Sequence, residues 1–152
     1  MLAQARLLAL ALPAALLATV WAMQLFGGYY PCEMCHWQRW PHYAALVAAV
    51  LAIVLRKQPA SRPLTILAGL LIIVSGAIGA FHAGVEYHWW QGPTRCSSMV
   101  AAHGADLLQA ILSAPLVRCD TPAWTLFGIS LAGYNAIVSF AGGLTILGLC
   151  RR

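Results

Sequence analysis

The sequence predicts an all-α membrane protein: a four-transmembrane-helix bundle with two loops on its outer face. Three observations carry this expectation. Of 152 residues, 61% are hydrophobic and only 9% are charged. The mean hydropathy is +0.76. The apolar residues are also gathered into four long runs rather than dispersed. A soluble domain carries about 25% charged residues, so the composition belongs to the membrane class, with the lipid bilayer as the first partner. One domain covers 1–152. The net charge of +5 is carried by residues standing singly or in pairs. They form no basic stripe, which argues against a nucleic-acid partner.

A spanning helix needs roughly 20 mostly apolar residues. Residues 7–26 provide the first such run, with Arg6 just before it. A cleaved signal peptide is the competing reading. The run is longer than a usual signal core, and no clear small-x-small cleavage site follows it. Pro13 lies inside the run and is tolerable where neighbouring helices compensate the lost backbone bond. The second segment is placed at 36–55. Its wholly apolar part is only 43–55, so it spans only by starting near Cys35 or His36. Residues 64–85 give the third, and 123–149 the fourth, long enough to tilt. The outer loops are then about 27–40 and 86–122. The long one is punctuated by Gly92-Pro93 and Thr121-Pro122. Within it, 99–112 is mildly apolar. Leu107, Leu108, Ile111 and Leu112 stand there at near-helical spacing, as for a short helix lying in the interface.

Charge sets the orientation. Arg6, Arg56, Lys57, Arg62, Arg151 and Arg152 fall at the two termini and in the loop between the second and third segments. By the positive-inside bias that side is cytoplasmic, so both termini are expected there. Glu33, Glu86, Asp106, Asp120 and all the histidines lie on the other side. Trp37, Trp40, Trp89, Trp90 and Trp124 flank the outer loops like an interfacial aromatic belt.

Five cysteines divide unequally across this topology. Cys150 faces the reducing side and reads as a small apolar residue at a helix end. Cys32 and Cys35 share the short outer loop, and Cys96 and Cys119 share the long one. A Cys-x-x-Cys pair closes almost no loop entropy, so it points to redox or metal chemistry rather than to a stabilising staple. Cys96 and Cys119 enclose 22 residues. A purely structural disulfide there would contribute about 3 kcal/mol, so structure and redox stand level for that pair alone. Two pairs on one face shift the balance, because thiolate–disulfide exchange can pass oxidation between them. Zinc fits poorly, since structural sites usually use two close-spaced pairs. Cys32-x-x-Cys35-His36 also matches the attachment pattern of a membrane-bound c-type cytochrome, the main alternative. A structural role for both pairs, in a receptor or transporter, is a third reading.

Neighbouring polar residues add candidates. Arg39 shares a helix face with Cys35, where it would favour the thiolate and could donate to a quinone oxygen. An arginine snorkelling to the headgroups is the plainer reading. Pro41 removes the amide bond back to Trp37 and is a possible helix start. His82 and Glu86 stand four apart at the outer end of the third segment, as a proton relay or as interfacial polar residues.

Residues 31–41, Pro-Cys-Glu-Met-Cys-His-Trp-Gln-Arg-Trp-Pro, follow directly after a first spanning segment. Further on come His82-Ala83-Gly84-Val85-Glu86, Trp90, Gly92-Pro93 and Cys96. Cys119 through Trp124, Phe127-Gly128, Ser130 and Asn135 complete the pattern. In this order, and over essentially the whole chain, the sequence resembles the quinone-dependent disulfide oxidases of the disulfide bond formation protein B (DsbB) family. The resemblance implies a bacterial inner-membrane bundle whose cysteine pairs, Cys32–Cys35 and Cys96–Cys119, face the periplasm. It implies reoxidation of a DsbA-type periplasmic thiol oxidase of thioredoxin fold. The electrons would pass to a membrane quinone, ubiquinone or menaquinone, without a metal. By position, Cys96 would take the mixed disulfide and Cys119 would attack Cys32–Cys35. Cys35, Arg39, His82 and Glu86 would face the quinone. Vitamin K epoxide reductases also join four helices, a Cys-x-x-Cys pair and a quinone, but there the loop pair comes first.

Overall fold

A computed structural model of the chain describes residues 1–93, 97–98 and 116–151. Cys96, the Cys96–Cys119 pairing and the interfacial helix expected at 99–112 lie outside the described residues. Four helices dominate: α1 (Leu2–Gly27), α2 (Glu33–Val54), α3 (Ser61–Glu86) and α4 (Leu131–Arg151). Two short antiparallel ladders accompany them. The first pairs β1 (Ser97–Ser98) with β2 (Leu116–Val117), and the second pairs β3 (Thr125–Leu126) with β4 (Ile129–Ser130).

Local chemistry explains the helix ends. Gly28 adopts φ 69° after α1, a left-handed stop that sends its N–H back to the Met23 carbonyl. The chain re-enters a helix at Cys32, whose extended backbone and sulfur cap α2 by accepting from the Cys35 amide at 3.2 Å. Glu33 in the first turn complements the positive end of that helix. The cap moves the start of α2 ahead of the expected 36, and Pro41 lies inside the helix rather than at its start. Between α2 and α3, the Ser61 hydroxyl donates to the Ala52 carbonyl at 2.7 Å. Arg62 Nε donates to the Cys150 carbonyl at 3.0 Å, which ties α3 to the carbonyl end of α4.

The fourth apolar run differs from the expectation over its first residues. Positions 125–130 form the β3–β4 hairpin, and the helix begins only at Leu131. Phe127 at φ 50° and Gly128 at φ 77° make a two-residue turn with both backbones left-handed. Apolar composition alone does not distinguish such a hairpin from the first turns of a helix.

The helices pack through small residues. Ala5, Ala9, Ala45, Ala48, Ala49, Ala68, Ile72 and Ile146 form a core with Cys150 in the half remote from the hairpin. The closest approach is between α3 and α4. A β-carbon on Gly143 would meet Gly69 O at 3.0 Å and Ile73 Cγ1 at 2.5 Å. Close contact through small residues is how apolar helices associate where lipid removes the hydrophobic drive. α1, α3 and α4 are long and apolar enough to cross a membrane. α2 is not among these by composition, because its outer half carries Gln38, Arg39 and His42. All three are buried, each less than 9% exposed. Its 22 residues extend about 33 Å, enough for a hydrocarbon core of about 30 Å.

Candidate active site

The cap that starts α2 also sets the chemistry. The Cys32 and Cys35 sulfurs lie 2.7 Å apart at the first turn. Cys32, Cys35, Cys119 and Cys150 are all free thiols in this structure. Cys32 is 3% exposed and Cys119 8%. The Cys119 sulfur, the Cys32 sulfur and a His82 ring nitrogen all lie within 4.8 Å of one another. Cys32 therefore has both the Cys35 and the Cys119 sulfurs within 4.8 Å.

Electrostatics separate the two members of the close pair. The Cys32 thiol is pushed strongly up, first by its hydrogen bond to Cys35 and then by burial. Cys35, in the outer turn ahead of the span read for α2, is pushed down, first by accepting that bond. The Arg39 guanidinium adds to the effect, as a positive charge beside a thiolate does. The arrangement favours a protonated Cys32 beside an anionic Cys35.

Arg39 is 8% exposed, so it is held inside rather than extended to headgroups. α1 holds it: Arg39 Nη1 donates to Gln24 Oε1 at 2.9 Å, and its guanidinium carbon lies 5.5 Å from the centre of the Trp21 ring. Trp21 Nε1 in turn donates to the Tyr43 hydroxyl at 2.8 Å. His82 Nε2 lies 3.5 Å from the Cys32 sulfur and 3.8 Å from Glu86 Oε1. Its Nδ1 takes the Gln38 amide at 2.7 Å. The amide is oriented by its second donation, to the Met34 carbonyl at 3.3 Å. His82 Nδ1 is therefore the acceptor, and Nε2 carries the proton that faces Cys32.

These side chains border a cavity of about 530 Å³ between the halves of the helices nearer the β3–β4 hairpin. Cys32, Cys35, Arg39, His42, His82 and Glu86 line it, with Leu16, Val20, Met23, Leu131 and Ala132 among its apolar wall. Its size falls within the roughly 300–1,000 Å³ of small-molecule sites, and an apolar wall with few polar groups is their usual lining.

The structure thus brings Cys32, Cys35, Cys119, Arg39, His82 and Glu86 to one place. Cys96 lies outside the described residues. Sequence reasoning missed Gln24, His42 and Ser75, and it used Gln38 and Asn135 only as parts of a resemblance. Asn135 Nδ2 donates to Gln38 Oε1 at 2.9 Å and to the Ser75 carbonyl at 3.2 Å. Ser75 Oγ donates to the Gln38 carbonyl at 2.8 Å. The signal available in the sequence was the run of polar residues inside an otherwise apolar α2. The sequence points to no metal, yet Cys32, His82 and Cys119 are close enough together to hold one. His36, which the cytochrome reading needs, is exposed, whereas Cys32 is buried.

Comparison with known proteins agrees with this geometry. The family model for disulfide bond formation protein DsbB matches residues 3–149. An uncharacterized protein of Rickettsia prowazekii (strain Madrid E), RP370, is 27% identical over 127 residues, which cover 81% of this chain and 73% of that protein. No solved structure matches.

Proposed function

The chain belongs to the DsbB family of disulfide bond formation proteins, multi-pass membrane oxidoreductases, and from that premise we propose that it oxidises a periplasmic dithiol at the expense of a membrane quinone. The dithiol is that of a DsbA-type thiol oxidase, and the quinone is ubiquinone or menaquinone. In this reading all four helices span the bacterial inner membrane with both termini cytoplasmic. The outer ends of α2 and α3 then lie at the periplasmic face.

The observation that carries the proposal is the close approach of the Cys32 and Cys35 sulfurs on the wall of an apolar cavity that also holds Arg39. The residues fit a quinone. The cavity supplies apolar area for a ring, Arg39 supplies donors for an oxygen, and a buried His42 nitrogen lacks a partner among the described residues. A quinone bound there supplies the acceptor for two electrons and two protons.

The protein's own part is sulfur exchange. Starting from a Cys96–Cys119 disulfide, the partner's thiolate attacks Cys96 and Cys119 leaves, and the partner's second thiol then displaces Cys96, so the partner is oxidised and Cys96 and Cys119 are left reduced. With Cys32–Cys35 oxidised, Cys119 attacks Cys32 and Cys35 leaves as the thiolate. The leaving sulfur is the one that the first turn of α2 and Arg39 stabilise. Cys96 then displaces Cys32 from Cys119, and the dithiol Cys32–Cys35 is ready to give up its electrons and protons at the cavity. His82 Nε2–H, 3.5 Å from the Cys32 sulfur, can donate to that sulfur and assist its departure. The buried position of Cys32 and the exposed His36 leave the covalent haem reading without support.

The test uses the purified full chain with a reduced thioredoxin-fold dithiol and a short-chain ubiquinone or menaquinone analogue. Quinone loss is expected only with the partner present in catalytic turnover. Cys32→Ser and Cys35→Ser should each slow it by at least about 1,000-fold. Unchanged turnover in either variant would contradict the proposal.

A further inference from the structure

We propose that His42 is a hydroxyl-recognising residue of the cavity, taking a hydrogen bond on Nδ1 from a phenolic O–H of the bound ligand. The inference rests on the quinone reading and deepens it, because it concerns which redox form the site prefers.

The tautomer of His42 follows from its neighbours. Asn135 Nδ2 lies 3.2 Å from the Ser75 carbonyl, which can only accept, so that atom is the amide nitrogen. Asn135 Oδ1 is then a pure acceptor. It takes the Ser139 hydroxyl at 3.0 Å and faces His42 Nε2 at 3.0 Å. The Nε2 atom must therefore carry the proton, and in the neutral ring Nδ1 is left with a bare lone pair.

That nitrogen is buried, and no group among the described residues bonds to it. The residue is only 3% exposed and lines the cavity. An unpartnered buried acceptor is destabilising, so the fold maintains it at a cost that a ligand hydroxyl would remove. Arg39 precedes His42 by three residues on α2, about 4.5 Å along the axis. The two offer opposite chemistry, since Arg39 only donates and neutral His42 Nδ1 only accepts. A quinone carries acceptor oxygens alone and satisfies Arg39. A hydroquinone carries O–H donors and satisfies His42 as well. The site thus holds the reduced form more tightly and makes reduction of the bound ligand easier. A tenfold preference corresponds to about 30 mV for a two-electron couple.

The experiment separates hydroxyl recognition from turnover by using redox-inert probes. An alkyl-substituted 4-methoxyphenol and its methyl ether differ only in the O–H, and binding of each to the purified full chain is measured calorimetrically. The phenol should bind about tenfold tighter than the ether. His42→Leu should bring the two affinities together, and His42→Gln, which restores an acceptor, should recover much of the difference. Nitrogen-15 NMR of labelled wild-type protein gives a second readout that needs no variant to fold. The His42 Nδ1 resonance should be that of an unprotonated nitrogen and should shift with the phenol but not with the ether. Equal affinities in the wild type, a preference retained in His42→Leu, or a protonated Nδ1 would overturn the inference while leaving the quinone reading standing. Failure of both probes and of a short-chain quinone to bind would remove both.

Discussion

Cys32 serves two purposes at one atom. Its sulfur caps α2 by accepting from the Cys35 amide, and the same sulfur lies close to those of both Cys35 and Cys119. Replacing it with serine keeps a capping oxygen, so Cys32→Ser should fold while losing turnover, a separation readable by comparing thermal unfolding with quinone reduction. Arg39 depends on geometry that lysine cannot copy, because it both donates to Gln24 and lies near the Trp21 ring. Arg39→Lys should raise the KM for quinone about tenfold, equivalent to ~1.4 kcal/mol of binding, with a smaller change in kcat. Steady-state kinetics over quinone concentration check this, and an unchanged KM would dissociate Arg39 from the ligand. The grouping of Cys32, Cys35 and Arg39, and that of His82 with Glu86, could be read from the sequence because short spacings join them, whereas no spacing placed the Cys119 sulfur beside Cys32. Gln38, His42 and Asn135 could not be read in this way, since the bonds that give them a role join positions 38 with 135 and 42 with 135.

At the scale of elements, glycine decides how closely α3 and α4 can approach. A β-carbon on Gly79 would stand 2.9 Å from the Ala132 carbonyl, 2.9 Å from Asn135 Nδ2 and 3.1 Å from Gln38 Oε1. Gly79 therefore makes room for both the helix contact and the Gln38–Asn135 bond. Gly79→Ala should destabilise by about 1–3 kcal/mol and disturb the site as well. Gly128 presents the opposite case, with open space around it but φ 77°. Gly128→Ala should cost about 1 kcal/mol through the hairpin backbone and leave quinone binding intact. Unfolding in detergent together with quinone affinity distinguishes the two effects, and equal consequences for binding would contradict this division. The long apolar runs made α1, α3 and most of α4 readable in advance. The start of α2 and the β3–β4 hairpin were not, because a sulfur cap and a left-handed Phe-Gly turn leave little trace in hydropathy.

For the whole molecule, the account needs a sidedness that hydropathy and positive charge argue for jointly. A membrane-impermeant thiol reagent applied from the periplasmic side after reduction should label the half-buried Cys35 and, more slowly, the buried Cys32 and Cys119, with Cys96 expected on the same side. Cys150, buried in the helix core, should be labelled only once the membrane is opened and the protein unfolded, and its labelling from the periplasmic side in intact membranes would invert the topology. The central claim is narrower: the Cys32–Cys35 dithiol itself delivers electrons to a quinone. It is tested most directly by a single turnover under anaerobic conditions with the Cys96→Ser, Cys119→Ser double variant, fully reduced and mixed with excess short-chain quinone. Each chain should consume one quinone, read by absorbance, while mass analysis after alkylation should find one new disulfide between Cys32 and Cys35. No quinone consumed, or the same amount consumed when Cys35→Ser is added, would contradict it.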